Sequence, residues 1–554
     1  MASINLGKVA FQWRSVYSAE ATYNLQDVVS YNGDSWVCTL DGTTGIAPSA
    51  SPWWSLFAQG TQGVSSSAGE VIYSDGNGLV ALPAGQAGEV LQIDKTTLLP
   101  VWGPADVRSS TRAKALPASV TEKHAQVLSY RHFAVIMNDD SLRMWGYNGN
   151  YNLGDGTTYA RSYPVRPGFP PGFPGVAKVY QMYNSATYVI DLDGKLWSWG
   201  YNGYGVLGTG DTNTRFIPYC ASDNALNSIN GKVVTQVAIP CGSEGYNTVM
   251  VLCDDGTVHT CGYNGYGQLG QGDTNQRNNF QLVPALNNIV DICLGRERYT
   301  SAFAVTASGQ LYSWGYNGDY ALGSGNNTQS NLAMLRTLGS LSGKVITKVF
   351  TGYISTYALD DEGNLHSCGG NNYGQLGNGN TGAQSTFVQV ATDVVDVYAG
   401  GYDYPIVFIK KSDGTLWGCG YGGYGGNGEP AGNSVSSFFQ LDFGQPVQKM
   451  IHSGTGSYNW GAALLADGTV QTWGYNGNGV LMTGSTDNRY FPSRMVVPTG
   501  NATVVDIACW NQSSEQSIAF MCADGQLLVG GYAGGSSLPE DDSENSYAPM
   551  PVPF

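Results

Sequence analysis

Residues 192–210, LDGKLWSWGYNGYGVLGTG, come back 62 positions later as residues 254–272, DDGTVHTCGYNGYGQLGQG. A match of this length inside one chain is a repeat, and the period has to be settled before domains are counted. With the Trp of the Trp-Gly pair as reference, equivalent positions are Trp145, Trp199, Cys261, Trp314, Cys368, Cys419, Trp473 and Gly530. They lie 51 to 62 residues apart.

Six residues before each reference stands a two-residue turn: Asp139-Asp140, Asp193-Gly194, Asp255-Gly256, Ser308-Gly309, Glu362-Gly363, Asp413-Gly414, Asp467-Gly468 and Asp524-Gly525. Gly in the second place takes positive φ without steric cost, so an acidic residue followed by Gly between apolar runs signals a β-hairpin. Three residues before the reference the side chain is always aliphatic: Leu142, Leu196, Val258, Leu311, Leu365, Leu416, Val470 and Leu527. That is the inward, core-building position. A β-branched segment precedes each hairpin (VVTQVAI, VVDVYAG, VVDIACW), and another follows it, often with Pro (FIPYC, YFPSRMVV, YAPMPVPF). Each unit therefore holds about four strands.

A sheet of four strands repeated about every 50 residues buries its faces only by stacking on its neighbours, and a closed radial stack is a β-propeller. The predicted fold is all-β, with eight motifs arguing for eight blades and seven as the alternative. The last strand-like segment runs to Phe554, and it is expected to complete a blade with strands near 112–120.

The pattern W-G-x-N-x-x-G-x-L-G-x-G after a D-G-x-L hairpin resembles the repeat of the regulator of chromosome condensation family, over roughly residues 111–554. That family typically forms seven blades, whereas eight motifs are present here; the sixth (CGYGGYGGNGEP) and eighth (GGYAGGSSLPED) are degenerate after the turn. The resemblance implies a binding scaffold and does not settle what is bound.

Only 12% of residues are charged, about half the roughly 25% usual for soluble domains, and 76 are Gly. The net charge of −16 and the lack of any basic run argue against nucleic acid as ligand. The first residues, MASINLGKVAFQW, do not read as a signal peptide, and no stretch approaches the roughly 18 apolar residues of a membrane span. No cysteine pair has CxxC spacing, and the histidines (124, 132, 259, 366, 452) are scattered. No metal site, cofactor or disulfide framework is expected, and synthesis in a reducing cytoplasm is. Cys261, Cys368 and Cys419 read as small buried substitutes for Trp.

Residues 1–60 form a separate aromatic-rich module. Its order W..Y..Y...DVVSYNG..WVC....G..P.....WW resembles small chitin-type carbohydrate-binding modules, and it makes Trp13, Tyr17, Tyr31, Trp36, Trp53 and Trp54 candidates for stacking on sugar rings. A 60-residue module also needs large aromatics for its own core, and that reading outweighs the first. Residues 61–110 are a β connector. Within it GEVIYSDGNGLVALPAGQAGEVLQIDKTTLLPVWG (69–103) resembles a segment recurrent in bacteriophage fibre and tail proteins, too small to fold alone. Residues 111–554 are the propeller.

This order implies a virion appendage of tail-fibre or receptor-binding type. It would dock to other virion proteins through its N-terminal region, act as a homo-oligomer, and recognise a host-surface glycan or protein without inserting in a membrane. A structural head, neck or tail decoration protein is the first alternative, and a polysaccharide depolymerase using the turn carboxylates is the second. No G-x-S-x-G elbow or H-E-x-x-H is present, the GKVV and GKVI segments (231–234, 343–346) lack phosphate-loop spacing, and the chain is not read as an enzyme. Tyr147, Tyr201, Tyr263, Tyr316, Tyr421, Tyr475 and Tyr532 follow the Gly of the Trp-Gly pair, so closure would array them on one face. With Asn148, Asn202, Asn264, Asn317 and Asn476 they are candidate ligand contacts. The plainer reading, Tyr packing between blades and Asn holding the turn, is favoured.

Overall fold

The structure is a computed structural model. Of the first 104 residues it describes Ser18, Glu20, Ala21 and the backbone of ten short strands between Gln12 and Pro104; it then describes residues 132–532 apart from 183–185, 241–246, 296–298, 402, 430–431, 453–457, 496–502 and 513–514, and finally the strand Ser546–Pro551. The chain divides into two compact units, Met1–Arg112 and Ala113–Phe554. In the first, a sheet runs in the order Gln12–Val16, Asp27–Tyr31, Asp34–Cys38, Trp54–Ala58, with its first pair parallel and the rest antiparallel. Two hairpins follow, Val71–Ser74 with Leu79–Leu82 and Glu89–Ile93 with Pro100–Pro104.

The second unit is an eight-bladed propeller. Blades 2 to 8 are antiparallel four-stranded sheets over residues 176–220, 234–282, 289–336, 346–391, 394–441, 447–494 and 504–551; blade 1, over 132–165, shows three strands among the described residues. Strand order within each blade follows the chain. First strands of blades 3 to 8 touch in succession around the axis, which makes them innermost and the fourth strands outermost.

The second and third strands of each blade join through the anticipated turn. Gly194 has φ 78°, and in blade 1 Asp140 adopts φ 61° in its place, a conformation Asp tolerates better than most side chains. The acidic residue before it caps the turn: Asp413 Oδ1 accepts from the N–H and hydroxyl of Thr415 at 2.9 and 2.7 Å, and Asp467 does the same for Thr469.

The core is eight apolar clusters, each shared by two neighbouring blades. Met182, Tyr188 and Leu196 of blade 2 meet Val237, Val251 and Phe280 of blade 3, for example. Each fully buried side chain of this size contributes roughly 1.5–3 kcal/mol, available only when the next blade is in place. Phe133, Val135 and Trp145 of blade 1 pack on Ala519, Met521 and Val529 of blade 8, and this closes the ring. The expected strand exchange is thereby corrected. Ser546–Pro551 pairs with Leu527–Gly531 as the outer strand of a blade whose four strands all come from 504–551. Packing does the closing, and residues 112–120 lie outside the described residues.

The Trp/Cys alternation has a shared purpose. The indole N–H groups of Trp199, Trp314 and Trp473 donate to the carbonyls of Asn152, Gln268 and Gly426 in the preceding blade, at 2.8, 2.9 and 3.1 Å. The thiols of Cys261, Cys368 and Cys419 donate to Val206, Ala321 and Gln375 at the same place, at 3.3 to 3.5 Å. Around the axis the third residue of successive first strands is Lys178, Gln236, Asp291, Lys348, Asp396, Lys449 and Asp506. Asp291 joins three blades, accepting from Gln236 Nε2 at 3.2 Å and from the Val349 N–H at 3.1 Å.

Candidate recognition face

In five of the eight blades (1, 2, 3, 4 and 7) the third strand ends at Gly-Tyr-Asn-Gly, at the end of the blade opposite the Asp-Gly turn. The Asn is fully buried wherever it occurs, at 148, 202, 264, 317, 371 and 476. Its carbonyl oxygen accepts from the N–H of the residue five further on, as from Leu207 at 3.0 Å and Leu322 at 2.9 Å. Its amide nitrogen donates to carbonyls across the loop, for Asn317 those of Asn326 and Thr328 at 2.7 and 3.1 Å. These side chains hold the 3–4 loop.

The Tyr before the Asn lies over the Gly after it. A Cβ built on Gly149, Gly203, Gly265, Gly318, Gly423 or Gly477 would collide with the phenol of Tyr147, Tyr201, Tyr263, Tyr316, Tyr421 or Tyr475 respectively. Blade 5 supplies the control: Gly370 replaces the Tyr, and Asn372 replaces the Gly.

At three blade junctions these rings belong to triads. Tyr266 of blade 3 meets Tyr299 and Tyr316 of blade 4, with centroids 4.8 to 5.3 Å apart. Tyr373 meets Tyr404 and Tyr421 across blades 5 and 6, and Tyr424 meets Tyr458 and Tyr475 across blades 6 and 7, at 4.6 to 5.7 Å. Tyr263 lies 5.5 Å from Tyr204 of blade 2. Tyr201 is 39% and Tyr424 38% exposed, while Tyr147, Tyr263, Tyr316, Tyr421, Tyr475 and Tyr532 are half-buried. Burial first, then the neighbouring phenols, push Tyr421 and Tyr475 above the usual tyrosine range. The rings are neutral, with apolar faces and hydroxyl edges, a surface suited to stacking and hydrogen bonding.

Sequence reasoning missed two members of each triad, although both leave a trace. One is the second Tyr of Y-N-G-Y-G or its variants, at 204, 266, 373 and 424. The other stands two residues before a second strand, at 299, 404 and 458. In the first unit, Trp13, Tyr31, Trp36 and Trp54 fall on strands of the four-stranded sheet, but their side chains, like all of Tyr17 and Trp53, lie outside the described residues.

The opposite face carries the turn carboxylates. Asp255 pairs with Lys232 and is held down to about 2 by hydrogen bonds from Lys232 and Thr257, which outweigh the effect of its burial. Glu362 pairs with Lys344 at 2.6 Å. Near it a Ser-His-Asp line forms: Ser340 Oγ lies 2.7 Å from His366 Nδ1, and His366 Nε2 lies 3.2 Å from Asp360 Oδ2. Blade 3 repeats its first half, with Ser228 Oγ 2.6 Å from His259 Nδ1 and Thr257 on Nε2 at 2.8 Å. In both cases the Ser belongs to the linker that covers the blade's outer strand, and Asp360 also caps its own hairpin through the N–H groups of Glu362 and Asn364. A buried arrangement that recurs without its acid is a clamp for the linker. Among the described residues no group of three or more His, Cys, Asp or Glu is placed to hold a metal.

The recurring unit of turn, third strand, buried Asn and first strand of the next blade is thus on view. Four segments match the regulator of chromosome condensation (RCC1) repeat. They are residues 193–244, 255–298, 362–402 and 467–514, and a second model of the RCC1 repeat matches 234–268. Each of the four begins on the acidic residue of an Asp-Gly or Glu-Gly turn and runs into the first strand of the next blade, so an RCC1 repeat straddles the blade junction. The chain is 26% identical over 365 residues to the ultraviolet-B receptor UVR8 of Arabidopsis thaliana, covering 65% of this chain and 79% of UVR8. It is 29% identical over 249 residues to the human E3 ubiquitin-protein ligase HERC2, covering 42% of this chain and 5% of HERC2. Among solved structures, that of Kap60 bound to yeast RCC1 (Prp20) aligns with TM-score 0.51 at 20% identity, over 74% of this chain and 93% of that one. At that identity the likeness establishes the propeller alone.

Proposed function

We propose that the propeller is a non-catalytic recognition module that binds its ligand on the tyrosine face, and that the chain serves as a bacteriophage tail-fibre or receptor-binding appendage. The observation that carries the binding role is the recurrence of one tyrosine triad at three blade junctions. The triad rings are half-buried, with Tyr424 38% exposed, and partly exposed clustered tyrosines are the kind of surface that recognition interfaces use. The ligand class is a host-surface glycan or protein. The virion setting rests on the fibre-like segment 69–103 and on its place between a small N-terminal module and the propeller.

The test is competition. Purified chain is incubated with the cells that the particle infects, and adsorption is then scored. Dose-dependent block, lost on replacing Tyr424 and Tyr475 by Ala, is the expected result. Unimpaired adsorption with folded protein sinks the receptor-binding role and leaves decoration of the particle. Release of new reducing ends from capsule would replace it with the depolymerase.

A further inference from the structure

The repeat motif places Asn directly before Gly. In that pair the labile Asn amide is most open to attack by its own backbone, because Gly has no side chain to shield its nitrogen. Asn-Gly occurs nine times among the described residues. In six of them the Asn (148, 202, 264, 317, 427 and 476) is wholly buried. Each of these accepts a backbone N–H on Oδ1 and donates from Nδ2 to a backbone carbonyl. Asn378 and Asn478 are half-buried, and Asn378 Oδ1 accepts from Asn371 Nδ2 at 3.1 Å.

The ninth, Asn230, lies outside the motif, in the turn that ends the linker between blades 2 and 3, and it is exposed. So is Gly231, at φ 74°, with nothing within 4 Å of the place a Cβ would take. The side chain of Asn230 makes one hydrogen bond, from Nδ2 to the Ser222 carbonyl at 3.0 Å, and its Oδ1 accepts none. The turn is closed by Asn230 N–H on the Asn227 carbonyl and Lys232 N–H on that of Ile229, which leaves the Gly231 N–H outside the bonding.

We propose that Asn230 is a site of spontaneous deamidation that loosens this linker as the protein ages. The Gly231 nitrogen loses its proton to hydroxide and attacks Asn230 Cγ. The N–Cγ bond forms, the Cγ–Nδ2 bond breaks, and Nδ2 takes a proton from water and leaves as ammonia. One water molecule then opens the five-membered imide at either carbonyl, giving aspartate or isoaspartate at position 230. A carboxylate has no N–H for the Ser222 carbonyl and repels it, and isoaspartate adds a carbon to the backbone of the turn. Between Ser222 and this turn stands Asn227, which donates to the Gly208 and Ala221 carbonyls at 2.8 and 2.7 Å and accepts from the Phe280 N–H at 2.8 Å. The segment that comes loose is therefore the one that covers the outer strand of blade 3.

The full chain is held folded in mildly alkaline buffer and, in parallel, unfolded in urea, and both samples are digested and read by mass spectrometry. In the folded chain the peptide carrying Asn230 is expected to become one mass unit heavier, faster as the buffer is made more alkaline. The six buried Asn are expected to react at least about tenfold more slowly, because their hydrogen bonds must break first, and to catch up in urea. Asn230→Gln, whose longer side chain would have to close a larger ring, is expected to stay unmodified and to keep its unfolding temperature while that of ageing wild type falls. An Asn230 that stays intact in the folded chain while the urea sample reacts overturns the proposal, as does a buried Asn that keeps pace with it. Aged wild type that unfolds at the temperature of fresh protein overturns the loosening of the linker.

Discussion

The ring of Tyr263 lies over Gly265, two residues further along the chain, so the phenol fills the space a side chain at 265 would need. This Gly is kept for room beneath a ring. Replacing it by Ala should displace Tyr263 and cost about 1–3 kcal/mol, as overpacking does. In a Tyr263→Ala background the same replacement should cost almost nothing. A double-mutant cycle by thermal unfolding measures the coupling, and additive effects would show that the ring and the Gly are independent.

Trp473 donates its indole N–H to the Gly426 carbonyl of the preceding blade at 3.1 Å. Trp473→Phe keeps most of the buried ring and removes the donor, at an expected cost of about 1–3 kcal/mol. Trp473→Ala also opens a cavity and should cost about 3–5 kcal/mol. Denaturant unfolding of the two variants ranks them, and equal losses would mean that the hydrogen bond contributes nothing.

His259 is held down to about 4, first by burial and then by Lys232. In the unfolded chain a His titrates near 6.5. Its contribution to stability is therefore fully present above about pH 6.5 and is lost as pH falls toward 4, because the unfolded state takes up the proton first. The loss amounts to about 3 kcal/mol. Unfolding temperature measured from pH 7.5 to 4 should fall less steeply for His259→Gln than for wild type, and parallel curves would contradict the assignment.

Lys449 reaches Asp506 of the next blade at 2.6 Å, and that carboxylate is almost wholly buried while the Lys is 41% exposed. Lys449→Ala should cost about 1–3 kcal/mol, less than a fully buried pair because the Lys is partly screened by solvent. Removing the solvent-exposed Lys195–Asp223 pair should leave the unfolding temperature unchanged. A comparable loss at both sites would show that burial does not set the difference.

Much of this architecture is local chemistry and was legible without coordinates. The Asp193-Gly194 turn and the inward Leu196 follow from φ preferences and strand alternation within a dozen residues, and eight recurrences argue for eight blades while leaving seven open until the ring is seen to close. The shared role of Trp314 and Cys368 was not legible, because their acceptor carbonyls belong to the preceding blade. The triads stayed hidden for the same reason: Tyr266, Tyr299 and Tyr316 come from three loops on two blades, and nothing local says that those loops meet.

By itself, then, the sequence determined the β-hairpins and their grouping into units of about four strands, since turn chemistry and side-chain alternation act over a few residues, and it left eight blades or seven to be decided by ring closure. Only the tertiary structure decided that blade 1 closes on blade 8 through Trp145 and Met521, and that Tyr299 sits beside Tyr266. Those outcomes depend on which blades and linkers come to lie side by side when the ring closes.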